Sequence, residues 1–86
     1  MILYFENSKG NRRVISNPFT IEDMWTDIHA FANEHSYTIP YTRINFGEDE
    51  LVIDVGSHTE FFVVKRFAEE DKKKLLKEDK DDFVSR

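Results

Sequence analysis

The sequence predicts an α+β fold, a ββαβββ antiparallel sheet with one amphipathic helix packed on a face and a charged C-terminal helix or tail. Three observations carry that reading. Five short runs rich in β-branched and aromatic residues are separated by turn chemistry. One segment places apolar side chains at helical spacing: Ile21, Met24, Trp25, Ile28, Phe31 and Ala32. The chain has 86 residues, which suits one domain.

Each element follows in order. Ile2 to Glu6 is a β-type run and Arg12 to Ser16 a second. Asn7-Ser8-Lys9-Gly10-Asn11 between them is turn chemistry, so the pair reads as a hairpin. Asn17-Pro18 breaks the chain. Thr20 is the expected helix N-cap, with Asp23 as a short capping-box partner and Phe19 with Met24 as a hydrophobic staple. The helix is expected to end near Ser36. A third strand is expected from Ile39 to Phe46, with Pro40 suiting its start or a sheet edge. Gly47-Glu48-Asp49 turns the chain into a fourth strand, where Leu51, Ile53 and Val55 alternate with Val52 and Asp54. Phe61 to Phe67 is the fifth, apolar on both faces at Phe61 to Val64 and therefore expected to be central.

Composition shifts at Ala68. Residues 68–86 carry seven acids and six bases, mixed as on a solvated helix, with Leu75, Leu76, Phe83 and Val84 as a narrow apolar seam. We therefore divide the chain into a 1–67 domain, expected to fold alone, and a 68–86 helix or flexible tail. The helix would dock on the second sheet face or on another subunit.

Charge is the most informative feature for function. Between Val14 and Val64 stand nine carboxylates and one base, Arg43. Such a one-sign surface selects basic partners. The predicted helix exposes Glu22, Asp23, Asp27 and Glu34, and the following turn adds Glu48, Asp49 and Glu50. These seven are the candidate partner-binding residues. They could compete with a phosphate backbone for Lys and Arg in a nucleic-acid groove. The plainer alternative is an acidic surface that serves solubility. Arg43 is expected to pair with Asp54 or Glu60 across strands.

Chemistry-bearing residues are sparse. The chain has no cysteine, which excludes thiol catalysis, disulfides and thiolate zinc sites. Its apolar runs are too short for a membrane span or a secretory signal. His58 lies in a turn between Asp54 and Glu60, beside Ser57. A zinc site from His58, Asp54, Glu60 and His29, with a small hydrolase built on it, is the second reading; a β-turn with side chains bonded to backbone is the plainer one. His29 and His35 are six residues apart, about 120° around a helix, and cannot chelate one ion as an i, i+4 pair would. His35 is expected to pack or cap the helix end.

Tyr4-Phe5-Glu6-Asn7-Ser8, Asn33-Glu34-His35, Tyr41-Thr42-Arg43 and Asp54 to Phe62 together resemble small uncharacterised phage and prophage proteins of Gram-positive bacteria. The likeness covers residues 1–64 and leaves out the tail. It implies a host-takeover or counter-defence role in the bacterial cytoplasm and brings no assigned active site. In size, acidity and non-enzymatic character the chain is similar to anti-CRISPR proteins. The expectation is a non-enzymatic inhibitor without cofactor that binds a basic host protein, most concretely a Cas9-type nuclease. It would bind no nucleic acid or membrane itself and act as a monomer or weak dimer. Phe46 or a tail side chain would supply the apolar anchor. An oligomerisation module using Leu75, Leu76 and Phe83 is the third reading.

Overall fold

Strands β1 (Ile2–Glu6) and β2 (Arg12–Ser16) form the opening hairpin. Its turn is closed by Asn7, whose side-chain oxygen accepts from the Lys9 and Asn11 amides at 2.9 and 3.0 Å. Gly10 takes a φ of 83° there, the left-handed region open to glycine. This computed structural model describes residues 1–57 and 59–84, with side chains as far as residue 77.

Helix α1 spans Ile21–Glu34. Thr20 caps it as the sequence predicts: its hydroxyl oxygen accepts from the Asp23 amide at 3.1 Å. The staple does not form. Met24 is fully buried while Phe19 is 89% exposed. Pro18, itself buried, holds the chain so that the next side chain turns outward. The far end closes in a Schellman motif. Ser36 takes a φ of 59°, its amide donates to the Asn33 carbonyl at 3.2 Å, and the Tyr37 amide donates to the Ala32 carbonyl at 2.7 Å.

The remaining strands are β3 (Arg43–Phe46), β4 (Glu50–Asp54) and β5 (Phe61–Lys65), followed by helix α2 (Glu69–Val84). All five strands join one antiparallel sheet of order β2-β1-β5-β4-β3. The α+β class and the central place of β5 agree with the sequence reading. Two strands are shorter than expected. β3 begins only at Arg43, because its partner there, Asp54, is the last residue of β4. β5 stops at Lys65, because Arg66 turns to a φ of 58°.

Helix α1 carries the chain from one sheet edge, β2, to the other, β3. Its inner face covers two cross-strand rows. One is Leu3, Val64, Leu51 and Phe46; the other is Phe5, Phe62, Ile53 and Ile44. Ile21, Met24, Ile28 and Phe31 of α1 complete this core. Leu75 of α2 is fully buried in the same cluster. Helix α2 thus packs beside α1 rather than on the second sheet face, and the core extends past Phe67. Leu76 is 43% exposed. The adjacent leucines thus divide between core and surface, successive helix positions differing by about 100°. The Phe83 and Val84 side chains lie outside the described residues. No described helix is long and apolar enough to cross a membrane.

Candidate functional site

The seven acidic positions divide into two groups once folded. Three acquire partners from elsewhere in the chain. Glu22 receives the Lys74 ammonium on both oxygens, at 3.1 Å on Oε2. Glu50 receives the Arg12 guanidinium in a forked pair at 3.1 and 3.2 Å, and Lys65 stands 3.8 Å away. Asp27, half-buried, accepts from the Ser16 hydroxyl at 2.7 Å. The hydrogen bond from Arg12 is the main reason the Glu50 carboxyl is held below its ordinary range. Lys74 does the same for Glu22.

Asp23, Glu34, Glu48 and Asp49 behave differently. All four are exposed, and no cation among the described residues lies within ion-pairing distance. Asp23 sits in the first turn of α1, where the helix dipole favours a carboxylate. Glu34 is the last residue of that helix. Glu48 and Asp49 occupy the β3–β4 turn, whose Gly47 carbonyl accepts from the Lys72 ammonium at 3.3 Å. Lys72 and Lys74 project about 200° apart on a helix. Helix α2 therefore runs between two acidic ends, the start of α1 on one side and the β3–β4 turn on the other.

The Asp54–Glu60 turn is braced by its own side chains. Asp54 Oδ1 accepts from the Gly56 amide at 2.9 Å. Ser57 Oγ accepts from the Thr59 and Glu60 amides at 3.3 and 3.2 Å. Gly56 takes a φ of 91°, and a Cβ there would stand 2.5 Å from Pro40 Cγ. Glycine is required on both counts. His58 lies outside the described residues. His29 is exposed on α1. Among the described residues no group of three His, Asp or Glu could hold a metal ion.

Arg43 faces Asp54 in the strand register, as its role in the sheet predicts. No ion pair joins them among the described residues. The Arg43 guanidinium lies 5.9 Å from the Tyr41 ring centre instead. Phe46 packs against the core and is no free anchor. Phe19 is the most exposed large apolar side chain among the described residues, and the staple pattern concealed it.

Comparison with family models, with characterised proteins and with solved structures finds no match.

His35 and Tyr37 supply a feature that spacing alone did not show. His35 stacks on Phe31 with ring centres 4.1 Å apart, and its Nδ1–H donates to the Phe31 carbonyl at 3.0 Å. It both packs and caps, as its place at the helix end predicts. The left-handed Ser36 then turns Tyr37 back toward the sheet, where its hydroxyl donates to Glu60 Oε2 at 3.0 Å. That bond is the main reason the Tyr37 hydroxyl holds its proton above the ordinary range.

Proposed function

We propose that this chain is a non-enzymatic binding domain that docks on a basic protein surface. In its most specific form it is a phage-encoded inhibitor occupying the nucleic-acid groove of a Cas9-type nuclease. The observation that supports this reading is the set of Asp23, Glu34, Glu48 and Asp49, exposed and unpaired among the described residues. Glu22, Asp27 and Glu50 hold the fold and contribute mainly to the general field. Such charges raise the association rate and choose the partner more than they set affinity. The nearly bare Phe19 ring, three residues before Glu22, offers the apolar contact that affinity needs.

The test is capture from a bacterial lysate, followed by dissociation constants at low and high salt. The combined variant Asp23→Asn, Glu34→Gln, Glu48→Gln, Asp49→Asn should bind the captured protein at least tenfold more weakly, with a flatter salt dependence. Glu22→Gln should change the affinity much less. Equal affinity of the fourfold variant and the parent at both salt concentrations would sink the reading.

A further inference from the structure

A cleft of about 80 Å³ opens beside the C-terminal end of α1. Its floor is apolar: Phe5, Phe62, Ala32, Ile39 and Val55. Tyr37 and Glu60 stand at the polar part of its lining, joined by their hydrogen bond. The Schellman turn at Ser36 places one wall, and the packing of Pro40 over Gly56 places another. Both walls rest on local backbone geometry, so the cleft is built rather than incidental.

Its size and its lining each restrict the occupant. A cavity of roughly 150 Å³ lined by aliphatic and aromatic side chains holds benzene. About half that volume, in a cleft open to solvent, suits a branched aliphatic group. Among the described residues, the Glu60 carboxylate keeps Oε1 for a second partner while Oε2 accepts from Tyr37. It is only partly buried, so a cation can reach it. Glu60 is the one carboxylate among the lining residues, and the nearby Arg13 guanidinium is turned over the Phe31 ring, 5.5 Å from its centre. An apolar floor beside that carboxylate fits an aliphatic side chain carried next to a positive charge.

We infer that this cleft takes one Leu, Ile or Val side chain of a basic protein partner, with Glu60 meeting a Lys or Arg adjacent to it. The inference rests on the acidic-domain reading for the partner's charge and adds an anchor point to it. It places a second contact region at the α1 C-terminus, near Glu34, where the sequence showed only a carboxylate.

The experiment uses the full chain and small peptides, so its outcome does not depend on the exposed acids. Amide resonances are followed by nuclear magnetic resonance during titration with acetyl-Leu-Arg-amide, acetyl-Leu-Glu-amide and acetyl-Ser-Arg-amide. The Leu-Arg peptide should shift the amides of Ala32, Ile39, Val55 and Glu60, with a dissociation constant on the order of 1 mM. The Leu-Glu peptide should bind roughly fivefold more weakly, the scale of one partly exposed ion pair. The Ser-Arg peptide should leave those amides unmoved. Ala32→Leu, which fills the floor, should abolish the Leu-Arg shifts. Glu60→Gln, which keeps an acceptor for Tyr37, should reduce the preference for Leu-Arg over Leu-Glu to near unity while preserving the spectrum. Absence of localised shifts with Leu-Arg in the parent overturns the proposal, as does equal binding of all three peptides. Failure here with a positive result in the salt-dependent assay would leave the acidic surface standing without this anchor.

Discussion

Arg12 and Glu50 join across two intervening strands, Nη1 to Oε1 at 3.1 Å and Nη2 to Oε2 at 3.2 Å. Arg12 Nε also meets Glu6 Oε1 at 2.8 Å. The strand registers put Arg12 level with Glu6, and Glu50 level with Lys65, at opposite ends of the sheet. The line between them crosses the Tyr4–Val63 pair on the helix-free face. Val63 has no exposed surface although neither helix covers it. Sheet twist brings the diagonal corners together.

Replacing Arg12 should therefore cost more than an ordinary surface substitution. Arg12→Ala is expected to lose roughly 0.5–2 kcal/mol, the sum of its ion pairs with Glu6 and Glu50. Arg12→Lys keeps the charge but not the fork and should lose about half as much. Urea unfolding at low and at 1 M salt checks this, with the difference from the parent shrinking at high salt. Identical midpoints for all three proteins would refute the strap.

The same pair shows what the sequence made legible. Period-two runs and turn residues read four of the elements to within two residues, and the Thr20 cap was visible as a residue type. Strand order was not visible, because β1 pairs with β5 through contacts nearly sixty residues apart in sequence. The charge segregation was real along the chain but incomplete in space. Arg12, Lys65 and Lys74, all outside the acidic stretch, fold back onto Glu50 and Glu22. The Phe19–Met24 pattern failed because Pro18 fixes the entry to the helix. Ser36 concealed the Schellman motif, since the usual marker there is glycine.

That substitution of serine for glycine leads to a stabilising change. Ser36 sits at a φ of 59°, where a side chain costs conformational energy that glycine does not. Ser36→Gly should raise stability by roughly 0.5–1 kcal/mol, net of the entropy glycine adds to the unfolded chain. Thermal unfolding followed by circular dichroism is sufficient. A lower midpoint in the glycine variant would show that the Ser36 side chain has a stabilising role the hydrogen bonds do not reveal.

Leu75 tests whether residues 68–86 belong to the fold. It is fully buried among residues of β1, β4, β5 and α1. Leu75→Ala should cost about 2–5 kcal/mol, as for other buried leucines. Leu76→Ala, one position away and 43% exposed, should cost well under half of that. Chemical denaturation of the two variants gives the comparison. Equal small losses would return α2 to the status of an appendage and support independent folding of residues 1–67.

The last prediction concerns acid. The Glu50 carboxyl is held below its ordinary value of 4.5, chiefly by the hydrogen bond from Arg12. A group whose folded value is depressed binds a proton more readily when the chain unfolds. Its stabilising contribution is therefore present above the unfolded value and disappears as pH falls through the folded one. The affected window begins near pH 4.5 and runs downward. Glu50→Gln removes the charge at every pH, so the variant should be less stable than the parent at neutral pH. The two should converge as the solution is acidified through that window. Glu22 is shifted in the same direction by Lys74 but is more exposed, so Glu22→Gln should show a smaller gap and a weaker convergence. Urea midpoints measured across the acid range, for the parent and each variant, separate the two carboxylates. Parallel acid limbs for parent and Glu50→Gln would mean that the Arg12–Glu50 pair contributes nothing to the stability of the sheet.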